Sequence, residues 1–506
     1  MGTLGPGDVA GEISLLAGGL PAATVTADSP ATVRVVLGED ARSWIAANDG
    51  DADALAEEAR RRVDHNELAL LFAELVEGAE PDAIEAAIEE VDLLELGAGD
   101  HLFHEGDDAD AGFIVVRGRL AESIIVDDRV EELTRMGRGQ IIGERALFEE
   151  GTRTTKVQAL RSSTVARISN EAFQRLLARH PKAMLGVTRA LVERLAAPVG
   201  QERHATSTIA VAVTTDTNVR VLTSRFIDAL TPYGEVGHLT PARVDTDLGS
   251  PGISGTPTGS VGSHRLDGYL HEYELTRDLV LLEVGPDDPD EWAERAFGVA
   301  DRILLVVSPE PDSAELATIR RLASHAPGPT KVIAVVHHGR DADRPHGSLA
   351  LAETIGADDI LHMRSGSVAD AGRVARLAAS RGVALVLGGG GARGFAHLGV
   401  YRALLEAGVP VDLVAGASIG SALAAAMAVG WRDAELETNI ADFFRDVLDY
   451  TVPVVALTKA ERISKAINHA TEDRDFEDLW IPFLCVSTNL THARTEVHRS
   501  GPLAHA

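Results

Sequence analysis

The chain has 506 residues, too many for one hydrophobic core, so three or four domains are expected. Apolar residues make up 45% and charged residues 25%, the balance of a globular protein rather than a disordered tail. A net charge of −30 excludes a duplex nucleic-acid binder, whose affinity rests on neutralised phosphates, and argues against a strong electrostatic hold on anionic membranes.

The N-terminus shows no basic segment leading into an apolar one, so no signal peptide is read there. Residues 5–36 match residues 137–168 without a gap: Gly5, Gly7, Gly11, Glu12 and Leu15 fall on Gly137, Gly139, Gly143, Glu144 and Leu147. The first copy begins inside the repeat, so residues 1–45 are expected to be the C-terminal half of a degenerate domain, and residue 1 is not expected to be the natural start. Residues 46–78 read as a helical connection. Residues 79–200 hold the complete copy. Short alternating segments such as Phe113–Val116 and Ser123–Val126, punctuated by glycines, predict a small jelly-roll barrel, with helices at about 170–180 and 182–196.

Gly143-Glu144-Arg145-Ala146-Leu147, followed by Arg153-Thr154, resembles the phosphate-binding cassette of the cyclic-nucleotide-binding domain family. The chemistry is coherent, because a short helix start offers N–H groups to an anion and an arginine fork grips a phosphate. The resemblance implies that Glu144 bonds the ribose hydroxyl and Arg153 the cyclic phosphate, with Gly143, Ala146 and Thr154 completing the cassette. A cyclic nucleotide is then the expected effector. The first copy has Pro21 in place of Arg153 and is expected to be structural. A competing reading is a degenerate barrel that mediates contacts alone, since Arg145 places a cation where the family is usually apolar.

Residues 205–380 alternate buried-strand runs (Ile209–Val213, Leu279–Glu283, Ile303–Val307, Val332–Val336) with helical stretches, which predicts a parallel, Rossmann-like α/β spacer domain. The stretch 250–263 reads as a loop or flexible insertion. His271 and the His337-His338 pair read as surface or loop residues, and no metal site is expected.

At Val383–Leu387 a strand leads into Gly388-Gly389-Gly390-Gly391-Ala392-Arg393-Gly394 and a helix. A second strand, Val411–Ala415, runs into Gly416-Ala417-Ser418-Ile419-Gly420 and a small-residue helix. GxSxG at a strand-to-helix turn is a nucleophile elbow: the serine occupies a strained turn, and a Cβ at either flanking glycine would strike backbone. The glycine run offers unhindered N–H groups to an oxyanion. Gly389-x-Gly391-x-x-Gly394 also fits a dinucleotide fingerprint, but an acidic residue should then close the next strand, and Asp412 stands at its beginning. A purely structural glycine-rich crossover is the third option. The pairing of two such turns, 20–30 residues apart, favours the hydrolase.

These motifs, with Phe476-Glu477-Asp478-Leu479-Trp480-Ile481-Pro482 downstream and a barrel upstream, resemble the patatin-like phospholipase family in its neuropathy target esterase-like form. The fold expected overall is multidomain: jelly-roll barrels, a parallel α/β middle domain, and, over 383–506, the N-terminal part of a patatin-like α/β hydrolase domain. The resemblance implies a serine esterase acting on phospholipids or lysophospholipids through a Ser-Asp dyad, with no metal, no other required cofactor and no catalytic histidine. Ser418 becomes the nucleophile, Gly389, Gly390, Gly391 and Arg393 the oxyanion site, and Gly416 and Gly420 the elbow. The sequence departs from the family in one respect: no Asp-Gly pair follows Ser418. The catalytic aspartate is therefore expected to be missing from an incomplete domain, which leaves the polypeptide itself weakly active. An alternative reading makes the chain an inactive hydrolase that works as a cyclic-nucleotide-binding or interaction module. NAD(P)-dependent redox chemistry ranks last. Cys485, the single cysteine, lies in an apolar strand and excludes an intramolecular disulfide. No stretch reaches the roughly 20 apolar residues of a membrane span, so the expected location is the cytoplasm, with peripheral membrane contact.

Overall fold

The computed structural model describes residues 81–126, 129–147, 151–179, 207–214, 219–258, 261–431 and 474–505, with shorter stretches at 5–6, 9–11, 24–38, 40–41, 65 and 67–73. The expected helix at 182–196 and most of the 46–78 connection lie outside them. The chain divides into two compact units, one of residues 1–208, 237–301 and 325–330, the other of residues 209–236, 302–324 and 331–506.

Eight strands build the barrel of the first unit: β1 (Val91–Leu96), β2 (His101–Phe103), β3 (Ala111–Arg117), β4 (Leu120–Val126), β5 (Arg129–Met136), β6 (Ile141–Ile142), β7 (Lys156–Ala159) and β8 (Ser163–Ser169). They form two antiparallel sheets, ordered β1-β8-β3-β6 and β2-β7-β4-β5. Alternation along β3 explains the core. Phe113 and Val115 face Phe103, Leu120, Met136 and Val157, while Ile114 and Val116 meet Leu68, Leu71 and Phe72 and Ile88 of helix α1 (Pro81–Glu89). Helix α2 (Asn170–Arg179) sets Ala172, Phe173 and Leu176, spaced as one apolar stripe, against Leu147 and Ile168.

Residues 24–37, where the repeat expects barrel strands, form no strand, and Val25, Val33, Val35 and Leu37 are exposed. An alternating segment becomes a strand only where a neighbour completes its ladder and a facing sheet covers it, and the described residues supply neither.

From residue 207, β9 (Ser207–Val213), β10 (Val236–Leu239), β11 (Leu279–Val284), β12 (Arg302–Val307), β13 (Lys331–His338) and β14 (Asp359–Arg364) alternate with helices. In the second unit β9, β12, β13 and β14 stand side by side in parallel register. Their interiors are continuously buried, as expected of parallel strands covered on both faces. In the first unit residues 250–258 are held in turns rather than running as a free loop. The Asp245 carboxylate accepts from Gly252 N (2.6 Å) and Ser254 N (2.9 Å), fixing the 3₁₀ turn Ile253–Gly255, and a helix starts at Val261. Composition signalled a turn there but not the distant carboxylate that anchors it.

Helix α3 (Val368–Ala378) leads to the last sheet, in which β15 (Ala384–Leu387), β16 (Leu413–Ala417) and β17 (Phe483–Asn489) run parallel and β18 (Arg494–His498) returns antiparallel. Helices α4 (Ala396–Glu406) and α5 (Ile419–Val429) follow the first two strands. Leu387, Val414, Leu423, Met427, Phe476, Phe483 and Leu503 share one core with Cys485, whose thiol is buried as expected and raised in pKa by that burial. Among the described residues no helix is long and apolar enough to cross a membrane.

Candidate active site

Strands β15 and β16 run in register, Leu387 beside Gly416, so both strand-to-helix turns open at the same carboxyl edge of the sheet. Ser418 stands between β16 and α5 with φ +54° and ψ −125°, a conformation L-residues avoid, and its side chain is exposed at the start of the helix. Three glycines make that geometry possible. A Cβ on Gly416 would collide with the backbone of Gly420 and Ser421; one on Gly420 would collide with the Leu387 carbonyl; one on Gly394 would come within 2.6 Å of Ile419.

The glycine loop closes against the serine. A Cβ at Gly389 would sit 3.3 Å from Ser418 Cβ and 3.4 Å from the Ala417 oxygen, so the bare glycine backbone lies close against the serine where a side chain would crowd it. Gly391 has φ +56° and opens the 3₁₀ turn Gly391–Phe395, in which Arg393 N donates to Gly390 O at 3.3 Å. The Arg393 side chain is exposed. His397 reaches back from α4 to the Gly388 carbonyl (Nε2···O 3.0 Å) and so braces the loop's first residue. Among the described residues no carboxylate or imidazole is hydrogen-bonded to Ser418. A second serine, Ser487, meets His498 Nε2 at 2.7 Å, but it lies within the β17–β18 ladder in ordinary strand geometry, so it is a cross-strand contact.

Two supports were not visible in the sequence. Asp412, 1% exposed at the entry to β16, accepts from Arg376 Nε (2.9 Å) and Nη2 (2.7 Å) and from Val383 N (3.0 Å). One carboxylate thus ties α3 to the starts of both site-bearing strands. The histidines at 271 and 338 are not surface residues: His271 pairs with Glu67 at 2.8 Å, and His338 is buried. His338 Nε2 lies 3.0 Å from His362 Nδ1, and His362 Nε2 donates to the Glu477 carbonyl at 2.7 Å, with Trp480 set edge-on to His338. Burial first, and then their mutual proximity for His338, lowers both pKa values to about 4. Among the described residues no cluster of ligands could hold a metal ion.

In the barrel, Gly143 (φ +67°) precedes the 3₁₀ turn Glu144–Leu147, with Ala146 and Leu147 buried, Glu144 half-buried and Arg145 pointing outward. The exposed guanidinium of Arg145 thus avoids the burial that an apolar site would impose. Arg153 comes to the same place. A Cβ on Gly143 would strike its Nη1; its Nη2 donates to the Ala111 carbonyl at 2.7 Å; its plane stacks 4.3 Å from the Phe103 ring. Nε and Nη1 are buried and have no acceptor. Thr154, beside it, is exposed. Two orphaned N–H donors against a glycine turn suit a phosphate, so these residues fit a cyclic nucleotide.

Residues 385–505 match the family model of the patatin-like phospholipases, and residues 93–180 match that of the cyclic nucleotide-binding domains. The chain is 28% identical over 496 residues to lysophospholipase nte1 of Neosartorya fischeri, covering 81% of this chain and 32% of that protein. It is 25% identical over 468 residues to patatin-like phospholipase domain-containing protein 7 of Rattus norvegicus, covering 82% and 34%. The chain therefore spans about a third of the length of these curated relatives. A solved cyclic nucleotide-binding-like protein from Brucella abortus is 31% identical, over 22% of this chain and 97% of that one, with a TM-score of 0.21. Residues 385–505 thus carry a patatin-like phospholipase domain, and residues 93–180 ahead of it a cyclic nucleotide-binding domain.

Proposed function

We propose that the protein is a serine esterase that hydrolyses acyl esters of lysophospholipids or phospholipids, with Ser418 as its nucleophile. The observation that carries this reading is the exposed Ser418 at φ +54°, with the bare backbone of Gly389 against it. Ser418 Oγ attacks the acyl carbonyl carbon. The negative oxygen of the tetrahedral intermediate is held by backbone N–H groups of Gly389, Gly390 and Gly391, with Arg393 at the rim and the positive end of α5 behind. Its collapse expels the glycerophospho-alcohol or lysolipid, and water then releases the fatty acid from the acyl-enzyme. Each N–H donor in such a hole is worth roughly 3 kcal/mol in the transition state.

The base of the family's dyad is an aspartate. Among the described residues no carboxylate is hydrogen-bonded to Ser418, so the dyad's aspartate is not among its observed partners. The cyclic nucleotide is the proposed effector of the barrel. The site is proposed to work from the cytoplasm on lipid at a membrane surface, through local apolar contact rather than charge.

A fluorophosphonate probe tests the nucleophile: the chain should be labelled, and Ser418→Ala should not. Equal labelling of the two would remove Ser418 from the chemistry.

A further inference from the structure

The segment Phe476–Pro482 has no part in the chemistry proposed at Ser418, yet it is built like a core. Phe476, Asp478, Leu479, Trp480 and Ile481 are all buried. Polar groups in such a place need partners, and those of this segment lie on two sides.

One side is the α/β region ahead of the hydrolase sheet. His362 of β14 donates from Nε2 to the Glu477 carbonyl at 2.7 Å. The Asp478 carboxylate accepts from Ser348 N at 3.0 Å, at the start of the helix Ser348–Ile355. Gly347 precedes that helix and has no side chain to cap it, so an acid 130 positions away takes the place of the local cap. Trp480 donates from Nε1 to the Asp343 carbonyl at 3.4 Å, and its ring lies 4.4 Å from the Arg364 guanidinium and edge-on to His338.

The other side is the elbow. Pro482 O accepts from Val414 N at 3.0 Å, in the strand that leads into Ser418. Ile481 N donates to Ala428 O at 3.5 Å, near the end of the helix that leaves it. Trp480 Cδ1 lies 3.6 Å from where a Cβ on Gly430, the C-cap of that helix, would stand. The segment therefore holds both arms of the turn on which Ser418 sits at φ +54°. A strained residue keeps its conformation only where its surroundings over-determine it, and a grip on the strand before and the helix after supplies that.

We infer that Phe476–Pro482 is a positioning strap, which fixes both arms of the Ser418 elbow to β14 and to the helix Ser348–Ile355. His362, Asp478 and Trp480 are its positioning residues, and the α/β region ahead of the hydrolase thereby sets how well the serine is presented. The effect on reactivity rests on the esterase reading; the tether itself does not.

Two measurements on the full chain separate these. Hydrogen exchange reads the elbow without any chemistry, and the rate of fluorophosphonate labelling reads its reactivity. His362→Ala, made outside the hydrolase sheet, should speed exchange over residues 413–429 about tenfold and leave β9 and β12 unchanged. It should slow labelling by about tenfold, since small misplacements of a reacting group are costly. His362→Gln, which keeps a donor for Glu477, should restore both. Asp478→Ala should act as His362→Ala does, and Asp478→Asn, which keeps an acceptor for Ser348 N, should recover; this pair decides if His362→Ala does not fold. Unmoved exchange over 413–429 in the alanine variants overturns the inference. So does a rise spread evenly over the second unit, which is lost stability rather than lost position, and so does faster exchange with unchanged labelling. A parent chain that is not labelled at Ser418 removes the nucleophile instead, and exchange alone then decides the strap.

Discussion

Gly416 and Gly420 do their work by what they lack. Adding one methyl group at either position drives it into backbone that cannot move away, since those atoms belong to the elbow itself and to the adjoining strand. Gly420→Ala should cost about 3 kcal/mol by overpacking, read as a lower urea midpoint, and should abolish probe labelling along with it. Asp412 makes the complementary case. Removing it as Asp412→Ala strands the half-buried charge of Arg376 and should cost about 3 kcal/mol, while Arg376→Met in the same background should recover part of that loss. A double-mutant cycle in urea measures the coupling. At this scale the elbow was legible in the sequence because glycine spacing is a local signal spanning five residues. The Asp412–Arg376 pair was not, because its partners stand 36 positions apart and meet only once α3 has packed.

Between elements, the His338–His362 contact joins β13 and β14 to the turn Phe476–Asp478 ahead of β17. Both rings are neutral in the fold. His362 spends its Nε2 proton on the Glu477 carbonyl and accepts from His338 through Nδ1, so a proton added there would face another N–H. Their folded pKa values of about 4 lie below the ordinary 6.5. Between those values the unfolded chain binds more protons, so this contribution is complete above pH 6.5 and is lost progressively as pH falls to about 4. Urea midpoints measured from pH 7 to pH 4 should fall, and His362→Gln, which keeps a donor for Glu477, should flatten that slope. A slope unchanged by the substitution would locate the acid sensitivity elsewhere. The strands themselves were readable as apolar runs. That a histidine pair ended one of them, buried, was not, because hydropathy treats histidine as surface and cannot see a second ring arriving from the neighbouring strand.

For the whole molecule, the order of folds along the chain followed from two kinds of periodicity, with strands of alternating burial first and continuously buried parallel strands after. Residues 24–37 of the front copy form no strand, since a repeat in sequence carries no guarantee of a partner sheet. If the barrel takes a cyclic nucleotide through Arg153, saturating ligand should stabilise the chain by about 2.7 kcal/mol at a hundredfold excess over Kd. Arg153→Ala should remove that gain. Calorimetry with cyclic AMP and cyclic GMP checks it, and absence of heat with both in the wild-type chain would leave the barrel without a nucleotide role.

The backbone at Ser418 has one more implication, for the balance between endurance and reactivity. A non-glycine residue held at φ +54° costs on the order of 1–3 kcal/mol, a load the surrounding fold must carry whether or not a lipid ever arrives. Glycine bears no such penalty. Ser418→Gly should therefore give a chain that melts later than its parent and is no longer labelled by the probe, and a calorimetric scan of the two checks the first half of that.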